Sequence, residues 1–298
     1  MAQRLRHLRW GRLTTLGTVS GYPVFLWRYS PSEKGALKSA IEPLICRAGG
    51  PPAIGLATEP VALQNKNKHS LCLLDTLSRP RGQICLSAGI HGDEPAGVEC
   101  LIHLLEKRPS WLARFDLTVF PCLNPWGYEH NVRTNERGQD LNRLWRVGAH
   151  GRAPLRKIAT GSKEISLVQR ALRGRRFDLT ICLHEDYDAT GLYIYEVVIG
   201  LPRFGRKIVK AVSRIMPIER RRQIEGRRAY GGVVVRPLES IRRRRHWPEA
   251  LYHIAHHSEC TLTSETPTHF PIGKRVRAHA EVVRVALKRL NGKAWTNV

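Results

Sequence analysis

The sequence predicts an α/β fold built on a largely parallel sheet. Short apolar runs bounded by turn residues recur along the chain and alternate with longer stretches of helical periodicity, the pattern that parallel strands with crossover helices require. Composition agrees: 298 residues, 42% of them hydrophobic, can bury a sizeable core, and wholesale disorder is excluded.

Strands are expected at Pro23–Trp27, Leu71–Leu74, Ile84–Ala88, Leu117–Leu123, Leu179–Leu183, Leu192–Ile199 and Thr261–Ser264. The turn SRPRG at 78–82 reads as a hairpin connection between the second and third of these. Helices are expected over 95–107, 163–173, 204–215, 247–257 and 273–290. The last carries Val276, Ala280, Val283, Leu287 and Leu290 at alternating spacings of four and three, with Arg and Lys between, and so packs one face on the sheet. Residues 30–68, containing GGPP and QNKNK, read as a long loop or insertion, and the arginine-rich stretch 217–246 as an excursion between core elements. There is no internal repeat and no dividing linker. The expectation is a single domain over 1–298, in which 1–68 supplies an N-terminal strand and the insertion.

Charge is the unusual feature: 49 Lys and Arg against 25 Asp and Glu give a formal net charge of +24. A dense run at 220–245, including Arg220, Arg221, Arg222 and Arg242 to Arg245, faces only Glu225 and Glu239. Charge runs are ordinarily solvated faces, and no helix-turn-helix, zinc-finger or RNP-type signature accompanies this one, so no specific nucleic-acid partner is expected. No apolar run approaches the roughly 20 residues of a membrane span. The basic N-terminus is broken by Arg12 and by Thr and Gly, so neither membrane nor secretory signal is expected. Seven cysteines, an odd number without a CxxC pair, suggest buried reduced thiols in a cytoplasmic setting.

The informative segment is CLSAGIHGDEPAGVECLIHLL. A strand ends at the turn His91-Gly92-Asp93-Glu94, and Pro95 suits the first turn of the following helix, where its missing N–H costs nothing. Open α/β sheets place ligands at such strand ends, and His-x-x-Glu holds an imidazole and a carboxylate close enough for two ligands of a Zn²⁺ ion. His184, ending the strand in FDLTICLHEDYD, is the candidate third ligand, and two His with one Glu leave a coordination position open. A lone HxxE also arises by chance, and a strand-terminal His is as readily a merely polar end. These pieces alone leave both readings open. Two further segments bear on the question. NPWGYEHNVRTNERGQDLNRLW, with Arg133, Asn135 and Asp140 to Arg143, is a loop suited to anion recognition. ECTLTSETP places Glu265 at a strand end, where a carboxylate can serve as general base. Each is separately compatible with solvated loop chemistry.

Taken in order, HGDE, NPxGxxxxxRxNxxGxDLNR, LHED and SETP resemble the zinc carboxypeptidase family, the carboxypeptidase A-like metallopeptidases, over about residues 83–270. The HGDE form is similar to the bacterial branch of murein peptide amidases. It also approaches the succinylglutamate desuccinylase and aspartoacylase group, which usually shows HGNE. The resemblance implies a three-layer α/β/α fold with a mixed, mostly parallel central sheet. It implies one zinc ion on His91, Glu94 and His184, with Arg133 polarising the scissile carbonyl, Asn142 and Arg143 holding a substrate carboxylate, and Glu265 as base. The sequence departs from the pattern in two places. Cys182 stands where many relatives have Asp, and only Tyr230 offers a match for the tyrosine that carboxypeptidases set over the substrate. Glu185, Asp186 and Asp188 read equally as groups supporting the site and as solvated charges. His103, His246, His253, His256, His257 and His269 read as surface or helix-face residues.

The leading expectation is a zinc metallocarboxypeptidase hydrolysing an amide bond beside a residue with a free carboxylate, on a small, acidic peptide. The alternative is an N-acyl amino acid deacylase of the desuccinylase and aspartoacylase kind. A third, from another class, is a basic nucleic-acid-binding protein on an inactive peptidase scaffold. The complete set His91, Glu94, His184 and Glu265 argues against it.

Overall fold

The first two strands set one edge of the sheet. β1 (Arg12–Val19) and β2 (Tyr22–Tyr29) pair antiparallel across Ser20-Gly21. Both turn residues have positive φ, 51° and 82°, as the tightest hairpin turns need. The computed structural model describes residues 1–31, 82–145, 161–199, 203–236 and 246–291. The expected strand Leu71–Leu74, Cys46 and Cys72 lie outside the described residues, as do most of the 30–68 insertion and Arg242 to Arg245.

The remaining strands are β3 (Gln83–Ala88), β4 (Asp116–Phe120), β5 (Leu179–Asp186), β6 (Tyr193–Val198), the short pair β7 (Gln223–Ile224) and β8 (Arg227–Arg228), β9 (Val233–Val235) and β10 (Cys260–Pro267). The main sheet runs β1-β2-β4-β3-β5-β10-β6-β9. Its central pairs β4–β3, β3–β5 and β5–β10 are parallel, as is the edge pair β6–β9, while β1–β2, β2–β4 and β10–β6 are antiparallel. The sheet is mixed, with a parallel centre. Because β3 pairs with β4 on one side and β5 on the other, both its edges are filled; the hairpin turn expected at 78–82 lies, but for Gly82, outside the described residues.

Helices α1 (Ala2–Arg6), α2 (Pro95–Lys107), α3 (Pro125–His130), α4 (Lys163–Leu172), α5 (Gly205–Val212), α6 (Glu249–His256) and α7 (Ile272–Asn291), with a short 3₁₀ helix at Leu141–Arg143, complete the described elements. Strand alternation sorts them into two layers. Ile84, Leu86 and Ala88 of β3, with Leu179, Ile181 and Leu183 of β5, face a core closed by α2, α5 and α7. Cys85 and Phe120 face a second core with Ile165 and Val168 of α4 and Tyr252 of α6. The fold is thus the three-layer α/β/α sandwich. Fully buried Leu and Ile side chains of this kind each stabilise by about 1.5–3 kcal/mol. Among the described residues, no helix is long and apolar enough to cross a membrane.

Three local expectations need correction. β5 and β10 run past the expected ends at Leu183 and Ser264, so His184 and Glu265 lie within strands. The arginine-rich stretch is not wholly an excursion, because Val233–Val235 is hydrogen-bonded to β6 as the sheet's far edge. The stripe that α7 buries is Ala278, His279, Val282, Val283, Ala286 and Leu287, while Val276, Ala280 and Leu290 are only partly covered. The true stripe is broader than a four-three ladder and includes a histidine, which hid it from a search for apolar periodicity alone.

Candidate metal centre and active-site cavity

The HGDE turn is fixed by close packing. After β3 the chain passes Gly89, at φ 63°, and turns through His91 to Glu94 into α2, whose first residue is Pro95. A Cβ on Gly92 would stand 1.9 Å from the carbonyl carbon of Gly127 and 2.3 Å from Tyr128 N, so glycine is required. Gly127 lies in the first turn of α3, where its N–H donates to Asn124 Oδ1 at 3.0 Å. The Asn-Pro pair of the NPWG motif is therefore a helix N-cap and first residue, and the two motifs lock backbone to backbone.

His91, Glu94 and His184 converge, all buried, with one ligand atom from each lying within 4.8 Å of the others. His91 Nδ1 stands 2.5 Å from Glu94 Oε1, and His184 Nδ1 2.9 Å from Glu94 Oε2. Burial alone would raise the Glu94 carboxyl, but the charge and hydrogen bonds of the two imidazoles hold it down to about 2. Two imidazole nitrogens and one carboxylate are a donor set suited to zinc. Asp140 Oδ1, 3.2 Å from His91 Nε2, orients the ring so that Nδ1 is left for the centre.

Asp140, which the sequence offers only as one member of the anion-recognition loop, ties that loop together. Besides His91 it accepts from Arg133 Nη2 at 3.1 Å and from Asn142 N at 2.9 Å, and Arg143 Nη1 lies 3.9 Å away. Burial works against its ionisation, but His91, Arg133 and Arg143 keep its carboxyl below the usual range. Arg133 also reaches Glu94 Oε1 at 3.5 Å. Asn142 Oδ1 accepts from Glu249 N at 2.8 Å, while its NH₂ has no partner among the described residues, and Arg143 is exposed.

Glu265 stands in β10 between His184 of β5 and Tyr193 of β6, its register neighbours on either side. Desolvation raises its carboxyl to about 8. His184 opposes that shift, and Glu94, Asp186 and Glu225 reinforce it. All seven site residues expected from the sequence (His91, Glu94, Arg133, Asn142, Arg143, His184 and Glu265) line one cavity of about 720 Å³. The cavity continues over Tyr193, Tyr195, Val197, Thr261 and Thr263, residues on the same face of β6 and β10 as Glu265, and its far wall includes Arg221, Glu225 and Arg236. Arg236 stacks on the Tyr195 ring at 4.2 Å, and Tyr195 donates to Glu225 Oε2 at 2.8 Å. The period-two alternation of β6 and β10 was the signal that could have found these floor residues.

Other expectations fall differently. Tyr230 is 68% exposed and off the cavity, whereas Tyr187, Tyr193 and Tyr195 line it. Glu185 is buried in the cavity lining: it accepts from Ala96 N at the start of α2, pairs with Arg275 of α7, and its own N–H donates to Glu94 Oε2 at 3.1 Å. Asp188 is exposed, and Asp186 accepts from the Tyr193 hydroxyl at 2.8 Å. His253 and His257 are buried in an aromatic cluster around Tyr252, and His246 lines the cavity.

Residues 80–201 match the model of the succinylglutamate desuccinylase/aspartoacylase catalytic domain. Solved structures share the architecture. A Shewanella amazonensis protein assigned to the metallopeptidases is 22% identical over 97% of this chain and 90% of its own, at a TM-score of 0.68. A metallo-carboxypeptidase from Burkholderia cenocepacia is 16% identical over 98% of this chain and 68% of its own, at 0.57. The chain shares the fold of these metallo-carboxypeptidase structures, and over residues 80–201 it is similar to the desuccinylase/aspartoacylase catalytic domain. A Shewanella baltica protein of the same assignment is 20% identical over 97% of this chain and 89% of its own, at 0.66. No curated protein matches the chain by sequence. The family match ends at residue 201 and so contains His91, Glu94, the Arg133–Arg143 loop and His184, while Glu265 lies beyond it.

Proposed function

We propose that the chain is a zinc-dependent metallocarboxypeptidase, cleaving an amide bond next to a residue that carries a free carboxylate. The observation that carries this reading is the register pairing of Glu265 with His184, which sets a carboxylate of raised pKa beside the buried His–Glu–His cluster in one cavity. His91, Glu94 and His184 would hold the ion. When bound, zinc supplies a Lewis acid for the scissile carbonyl and acidifies the attacking water. Glu265 takes the water's proton on a carboxylate oxygen and passes it to the leaving amine. Arg133, braced by Asp140, presents its guanidinium to the carbonyl oxygen as negative charge grows there. The NH₂ of Asn142 and the exposed guanidinium of Arg143 receive the substrate's carboxylate, and the cavity volume suits a peptide end or a small acyl amino acid. A cytoplasmic setting suits the described cysteines, all of them buried.

The match of residues 80–201 to the desuccinylase and aspartoacylase domain favours a second reading, N-acyl amino acid deacylation with the same ligands and base. Mass-spectrometric scoring of zinc-loaded protein separates the two. The panel is C-terminally free L-peptides, muropeptide fragments, N-succinylglutamate and N-acetylaspartate. Trimming of peptides is the expected result, cleavage of the acyl amino acids alone supports the second reading, and no cleavage by metal-loaded protein removes both.

A further inference from the structure

The strand that carries Glu265 is gripped from behind by a residue that the proposed reaction never touches. Side chains alternate along β10, so Glu265 opens on the cavity while Ser264 and Thr266 point through the sheet towards α7. Both hydroxyls meet one imidazole there. His279 Nδ1 lies 3.1 Å from Ser264 Oγ, and His279 Nε2 lies 3.1 Å from Thr266 Oγ1. All three side chains are fully buried.

We infer that His279 is a positioning residue for the base: by stapling the residues on either side of Glu265 to α7, it fixes where the Glu265 carboxylate stands beside His184. The inference rests on the proposed role of Glu265. A neutral imidazole offers one N–H and one lone pair, so a single ring satisfies both hydroxyls only if one accepts while the other donates. That arrangement is directional and fixes the ring, both hydroxyl rotamers and the backbone segment between them. Every other buried member of the α7 stripe is Ala, Val or Leu, so His279 is its single polar residue among those described. The helix also reaches the neighbouring ligand strand, since Arg275, one turn earlier, pairs with Glu185 next to His184. A base displaced by about 1 Å can lose on the order of 10²-fold in rate, so the clamp has kinetic leverage without contacting substrate.

The test compares wild type with His279→Leu and His279→Asn on a cleaved panel substrate, reading kcat and KM separately alongside metal content and thermal unfolding. His279→Leu, folded and fully metallated, should keep KM within about twofold and lose about 10- to 100-fold in kcat. His279→Asn, which keeps a polar atom near the Nδ1 position, should recover part of that loss. A folded, metallated His279→Leu with kcat within twofold of wild type overturns the inference. Should His279→Leu fail to fold, Ser264→Ala and Thr266→Val each release one tether. Each should then lower kcat several-fold, and unchanged kcat in both is equally fatal. A substrate-free readout separates this from the proposed function. The ¹³C carboxyl resonance of Glu265, assigned by its loss in Glu265→Gln, should be a single sharp line in wild type and broaden or split in the clamp variants. An unchanged line overturns the clamp. An altered line in a protein that cleaves nothing keeps the clamp and removes the hydrolase reading.

Discussion

Replacing Gly92 with alanine tests the packing that shapes the metal centre. The added Cβ would sit 1.9 Å from Gly127 C, 2.3 Å from Gly127 O and 2.3 Å from Tyr128 N. Carbon contacts settle near about 3.5–4.0 Å, so the turn and α3 must part by well over 1 Å. All three opposing atoms are backbone, and no side-chain rotation relieves them. Overpacking of this kind costs typically about 1–3 kcal/mol, which in a chain of this size is a Tm loss of several degrees. Gly92 lies between His91 and Glu94, so the strain falls on two of the three proposed ligands. Zinc affinity should drop about 10- to 100-fold, the scale seen when groups that orient metal ligands are lost. Chelator competition gives the affinity and calorimetry the Tm. Gly273→Ala is the control: nothing lies within 4 Å of a Cβ there, so it should bind zinc normally and unfold no earlier than wild type. Gly92→Ala with wild-type affinity and Tm would refute the reasoning that backbone packing positions the ligands.

Three other outcomes follow from the same geometry. Asp140→Asn keeps the shape but loses the charge that His91, Arg133 and Arg143 share, so metal affinity should fall about 10-fold or more. Equal affinity would remove Asp140 from the support of the site. Arg143→Ala should raise KM with little change in kcat, because the exposed guanidinium is proposed to bind substrate and transition state alike. A pure kcat effect contradicts that role. Burial depresses the His279 imidazole to about 3 against an ordinary value of about 6.5, so between those pH values the unfolded chain binds more protons. The stability that neutral His279 contributes is complete above about pH 6.5 and is lost as pH falls towards 3, amounting to about 2 kcal/mol by pH 5. His279→Gln lacks this titration, so its stability deficit relative to wild type should shrink by about 2 kcal/mol between pH 7.5 and 5. A deficit that does not change with pH contradicts the depressed value.

What the sequence revealed follows from how local each signal is. His91, Glu94 and the Asn124–Arg143 loop are contiguous motifs at strand ends, and chemistry confined to one turn reads directly from residue order. His184 and Glu265 were legible as strand-terminal polar residues, although their strands run further than apolar content suggests, because His, Glu and Asp extend β5. The role of Asp140 was not legible. A carboxylate in a polar loop looks like any other until tertiary folding sets it against His91, 49 residues away. The edge strand β1 escaped notice because RLTTLGTV is nowhere fully buried and shows no clean alternation. Arg221 and Arg236 seemed part of a charge run, yet folding turns them onto the cavity wall while their neighbours Arg220 and Arg222 face solvent. The bare +24 therefore reports little on chemistry, and only a few of the arginines line the cavity.

The central claim is that His91, Glu94 and His184 hold a zinc ion at which Glu265 acts as base. One measurement addresses it directly: metal content and turnover, recorded together, for wild type, His91→Ala and Glu265→Gln. The account predicts one zinc and metal-dependent hydrolysis in wild type, loss of both in His91→Ala, and retained zinc with turnover reduced about 10²- to 10⁴-fold in Glu265→Gln. Full activity without stoichiometric metal, or near-normal turnover in Glu265→Gln, would contradict it.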